Sequence, residues 1–110
     1  MKIAISDAGD GFVAQHFGHC PLFTVIEVDK NKLLSKEVIK NPGHQPGFLP
    51  RFLHEKGVNK IVAGGMGQRA INIFEEFNIK VVIGVTGSID DVIEKILQGT
   101  LGEGENLCDH

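Results

Sequence analysis

The pattern of apolar runs and turns predicts an α/β fold: a five-stranded mixed sheet in the order 3-2-1-4-5, with strand 2 antiparallel, flanked by three helices. Three observations predict it. A short apolar run over residues 2–6 stops at the turn cluster Asp7-Ala8-Gly9-Asp10-Gly11. Two longer runs, Leu22–Asp29 and residues 33–40, are joined by Asp29-Lys30-Asn31-Lys32, a link short enough to force an antiparallel hairpin. Beyond the breaker segment Asn41-Pro42-Gly43-His44-Gln45-Pro46-Gly47, helical and extended patterns alternate, which within one sheet means right-handed parallel crossovers.

Each later element follows from its own residues. Residues 48–56 read as a short helix, with Pro50 tolerated in the first turn and Gly57 as the stop. Residues 60–63 form the fourth strand and Gly64-Gly65-Met66-Gly67 its exit loop. Ala70, Ile73, Phe74 and Phe77 then recur at i, i+3, i+4 and i+7, the buried face of a second helix. Residues 80–85 are nearly all Val and Ile, a fifth strand suited to burial on both faces. Ser88 is placed to cap a third helix, with Asp91 three residues on, Ile89, Val92, Ile93, Ile96 and Leu97 as its apolar stripe, and Gly99 at its end. This strand order is ribonuclease-H-like. It brings three loops to one edge of the sheet: those holding His16, Gly64 and Val85-Thr86-Gly87.

Composition bounds the rest. One domain over 1–110 is expected, and a chain of this length buries roughly two thirds of its unfolded surface. The formal charge is −3 and the basic residues are scattered, which argues against a nucleic-acid partner. No apolar run approaches the ~20 residues of a membrane span, and Asp7 interrupts the start before a signal-peptide core forms. The expected location is the cytoplasm. There the two cysteines, Cys20 and Cys108, read as thiols or ligands and not as a bridge.

Two segments concentrate the soft chemistry. His16-Phe17-Gly18-His19-Cys20-Pro21 and Cys108-Asp109-His110 hold both cysteines and three of the five histidines. Imidazole and thiolate suit zinc, copper(I) and iron–sulfur species far better than hard ions. The bland alternatives are ordinary loop histidines, a cysteine packed as a small hydrophobe, and an idle tail. The first loop fits both readings; the tail alone favours the bland one, and its coincidence with the loop favours a shared site. The loop also lacks the paired Cys-x-x-Cys of structural zinc. His44 is a further nitrogen in a turn; His54 falls on the first helix and is given no role.

Gly65-Met66-Gly67-Gln68-Arg69-Ala70 opens a helix after a strand and formally matches a dinucleotide fingerprint. The acidic residue that should end the next strand is absent at Ile83-Gly84-Val85-Thr86. A different anion can use the same amides, with Arg69 or the Met66 thioether nearby. Two-metal nuclease chemistry needs several carboxylates, and the fourth strand and its loop supply none beside Asp7. No nucleophile elbow or phosphate-binding loop is present. No enzymatic constellation stands out.

Taken together, residues 16–20, 64–70 and 84–87 and the closing Leu107-Cys108-Asp109-His110 resemble the dinitrogenase iron-molybdenum cofactor biosynthesis family. That family includes NifX-like carriers and the carboxy-terminal domain of NifB-type proteins. The resemblance covers essentially the whole chain, and its most specific part is Gly-Met-Gly-x-Arg-Ala. It implies a ribonuclease-H-like carrier, without turnover, that holds an iron–sulfur or iron–molybdenum cluster or its precursor and exchanges it with a donor or acceptor protein. It implies partial coordination by His16, His19, Cys20, Cys108 and His110, with Met66, Gly65, Gly67 and Arg69 around the cluster, and His19 and Cys20 ranked above Met66. The metal composition stays open, and nitrogen fixation by the host does not follow. The other readings are a small-molecule or nucleotide-sensing domain using residues 65–70, and a partner-docking domain with no small ligand.

Overall fold

The computed structural model describes residues 1–43 and 47–99. Its sheet has the order β3-β2-β1-β4-β5, built from β1 (Lys2–Asp7), β2 (Leu22–Asp29), β3 (Lys32–Lys40), β4 (Lys60–Val62) and β5 (Lys80–Val82). Helices α1 (Phe48–Glu55), α2 (Gln68–Glu76) and α3 (Ile89–Gln98) complete it, with a 3-10 turn at Phe17–His19. β2 runs antiparallel to both β1 and β3, while β1, β4 and β5 are mutually parallel. The predicted fold class and strand order are those observed.

Side-chain alternation sorts the core into two layers. Ala4, Phe23, Val25 and Ile61 face α1 and α2, where Leu49, Leu53 and Phe74 meet them. Ile3, Ile5, Ile26, Val62 and Val82 point the other way, onto Ile89, Val92 and Ile93 of α3. The β2–β3 hairpin closes through Lys30 and Asn31, with φ of 51° and 65°. Two successive left-handed residues are what a tight hairpin turn needs.

The helix ends follow local chemistry. Ser88 Oγ accepts from Asp91 N at 3.0 Å, and Gly99, in the left-handed region, closes α3. α1 ends at Glu55, one residue short of the expected stop, and Gly57 N donates to His54 O at 2.9 Å. α2 begins at Gln68, directly after the loop over residues 64–67, as expected. One boundary differs more. β5 stops at Val82 where residues 80–85 were expected, because Gly84 adopts φ 80° and turns the chain out of the ladder. The chain past that point still touches the sheet: Gly84 N donates to Gly64 O at 2.8 Å and Val85 N to Ala63 O at 3.3 Å.

The loop after β1 is the element that gathers the sheet's carboxyl edge. Asp7 is buried, its carboxylate accepting from Gly9 N and Thr24 Oγ1 at 2.8 Å each. The chain doubles back so that Ala14 N donates to Ser6 O at 2.9 Å, and Val13 N reaches Gly87 O at 2.9 Å. Among the described residues no helix is long and apolar enough to cross a membrane.

Candidate functional site: a cleft between two glycine-bearing loops

Backbone approach creates the site. Gly64 N donates to Ala14 O at 3.1 Å, and Phe17 N donates to Gly65 O at 2.9 Å, which ties the exit loop of β1 to that of β4. A Cβ on Gly64 would lie 2.7 Å from Ala14 O and 3.0 Å from Gln15 Cα; one on Gly65 would lie 3.0 Å from Gln15 O. These two positions are glycine because backbone occupies the space a side chain would need.

Phe17 carries the connection inward. Its ring is buried, 5.2 Å from Phe74 edge-on and 5.8 Å from Phe23 between ring centres. With the ring anchored, the flanking histidines are left at the surface. His16 and His19 are exposed, their rings 6.3 Å apart and nearly perpendicular.

Together with Gly18, Gly65, Met66 and Gly67 these residues line an open cleft of about 510 Å³. That volume falls in the ~300–1,000 Å³ range of ligand sites. Among the described residues the lining holds two imidazoles and a thioether, and no carboxylate. Gly67 both lines the cleft and caps α2 with no side-chain hydrogen bond, and the first turn of that helix contains no acidic residue. The amides of a first helical turn lack intrahelical acceptors, and with the helix dipole they favour negative charge at this border. Arg69, exposed in the same turn, adds a cation.

Of the residues singled out in the sequence, His16, His19, Gly65, Met66 and Gly67 are brought together. Cys20 is adjacent in sequence but faces elsewhere. It is 3% exposed and packs with Phe17 and Phe23, its Sγ donating to Phe17 O at 3.1 Å. Burial pushes the thiol above its ordinary value, against the pull of Ser6, the Asp7 backbone and Asn41 beside it. Ser6 Oγ, fully buried next to this thiol, meets no partner at hydrogen-bond geometry among the described residues. His19 is the last residue of the 3-10 turn and stays at the surface, while Cys20, its extended C-cap, turns into the core.

Cys108 and His110, and the turn histidine His44, lie outside the described residues. Among those described, no three His, Cys, Asp or Glu side chains form a metal-holding group. His54 stacks on Phe77 at 4.6 Å, away from the cleft lining. Sequence reasoning missed Phe17 and Gly18 as lining residues and Gly64 as the contact point. The signal for Gly64 was its place at the head of an unusually glycine-dense loop.

Residues 1–99 match the family described as dinitrogenase iron-molybdenum cofactor. The chain belongs to this family. The protein is 32% identical over 110 residues to MJ0580 of Methanocaldococcus jannaschii, covering 96% of this chain and 92% of that one. The crystal structure of PH0822 superposes with a TM-score of 0.87 at 34% identity, over 92% of this chain and 94% of its own. The apo form of the orange protein from Desulfovibrio gigas shares the fold, with a TM-score of 0.76 at 22% identity over 91% and 89% of the two chains.

Proposed function

We propose that this family member is a non-catalytic carrier whose cleft holds a small anionic iron–sulfur or iron–molybdenum-type cluster as cargo, for transfer to a partner protein. The observation that carries the reading is the convergence of His16, His19 and Met66 on one open cleft at the start of α2. Soft nitrogen and sulfur donors match a sulfide-rich cluster. The helix start, and a lining that carries no carboxylate among the described residues, complement its negative charge. Ring centres 6.3 Å apart are long for two ligands of one tetrahedral ion and suit two ligands on different atoms of a cluster. Few protein ligands and an open mouth favour release, which a carrier requires.

In this reading Cys20 supports the loop from beneath and does not coordinate directly, since ligation would break its bond to Phe17 O and empty a core position. The test is anaerobic reconstitution with iron, sulfide and molybdate, followed by desalting, metal analysis and an absorption spectrum. Wild type should retain stoichiometric metal, His19→Ala should lose most of it, and Met66→Leu should retain less than wild type. A colourless wild-type protein that takes up nothing would overturn the proposal. The uncapped α2 start supports a second reading, a nucleotide or small-anion sensor, for which a nucleotide melting screen should show a rise in Tm.

A further inference from the structure

We propose that Asn41, outside the cleft, is the positioning residue that sets the His16–His19 turn, so that retention of a cluster depends on it; the inference rests on the carrier reading. The turn is suspended between two clamps. At its start Phe17 N is held by Gly65 O. At its end both carbonyls that follow the turn are held by one residue: Asn41 Nδ2 donates to Cys20 O at 2.7 Å, and Asn41 N donates to Pro21 O at 2.9 Å.

Asn41 is itself fixed. Its backbone bond extends the β2–β3 ladder one step past the Leu22–Lys40 pair, and its Oδ1 accepts from Gly43 N at 2.8 Å. Cys20 passes the restraint back into the turn, since its Sγ donates to Phe17 O at 3.1 Å and its N approaches the same oxygen at 3.5 Å. The amide of Asn41 therefore does two jobs at once, donor to the cleft loop and acceptor for its own turn. Asparagine is suited to this: aspartate keeps the acceptor and loses the donor, facing Cys20 O with a charge instead.

Losing the donor leaves Cys20 O without this partner in a half-buried position and returns freedom to His19. That freedom must be lost again when a ligand binds, which weakens retention. Positioning thus acts on His19 through Cys20.

The experiment loads wild type and Asn41→Asp with iron, sulfide and molybdate anaerobically and follows loss of iron to a chelator. In parallel, imidazole NMR signals are compared in the unloaded proteins. Asn41→Asp should release iron roughly three- to tenfold faster, the effect of about one hydrogen bond. The signals of His16 and His19 should move while that of His54, stacked on Phe77, stays in place. General destabilisation would not produce this selective shift. Should the aspartate variant fold poorly, Asn41→Ser, with a shorter donor and acceptor, is expected to show the same selectivity. Release at the wild-type rate with unmoved His16 and His19 signals overturns the inference alone. A wild type that never loads overturns the carrier reading, and this inference with it.

Discussion

At the scale of single residues, the cleft depends on positions that carry no chemistry. Gly64 is the clearest: the main chain of Ala14 and Gln15 fills the space where its Cβ would go, and backbone cannot step aside as a flexible side chain can. Gly64→Ala should cost about 1–3 kcal/mol by overpacking, measured by urea denaturation. The same variant should perturb His16 more than His54, because the loop that must yield is the one bearing His16. A variant as stable as wild type would show that the two loops approach less closely than described. Cys20 and His19 teach the complementary point. Residue type made both candidates, but the end of the 3-10 turn separates a surface imidazole from a core thiol.

At the scale of elements, each helix is delimited by signals that act locally. Ser88 is placed to satisfy one of the free amides at the start of α3, and Ser88→Ala should lower stability by ~1 kcal/mol with an unchanged denaturant slope. No loss of stability would mean that water replaces the hydroxyl at this site. The edge strand β3 follows a different logic. It is exposed along nearly all its length, including Leu33, Leu34 and Val38, yet Lys32, Lys36 and Lys40 recur along it and the pairing shifts at Glu27/Val28. Charges and a bulge on an edge oppose pairing with another chain. The exposed leucines of β3 are therefore compatible with a monomeric edge.

For the molecule as a whole, the sheet acts as a divider between two apolar layers, and the cleft sits where loops from adjacent parallel strands leave it. Placing a thiol in one of those layers has a consequence for global stability. Burial raises the Cys20 pKa in the folded protein, so above the ordinary value of 9.0 the unfolded chain releases this proton while the folded one keeps it. The unfolded state then binds fewer protons, and stability falls as pH rises. The contribution is fully present below 9.0 and is lost as pH climbs through the raised folded value. Denaturation midpoints should decline past 9.0 more steeply for wild type than for Cys20→Ala. Equal slopes for the two proteins would show that this thiol is not shielded in the native state.

The amino-acid sequence alone dictates the architecture, since period-2 runs, helical stripes, the Asn31 turn, the Ser88 cap and the glycine stops are local signals that each state their own element. With a short hairpin link and right-handed crossovers, strand order followed. It also named His16, His19 and Met66, because soft side chains are identifiable by type. Direction and distance came from the folded chain. Whether Cys20 faced the cleft or the core, where Gly84 ended β5, and that Asn41 would hold a loop 21 positions earlier all depend on contacts between distant segments. Such contacts leave no periodic trace in the chain, because they are set by how two surfaces meet and not by the residues on either one alone.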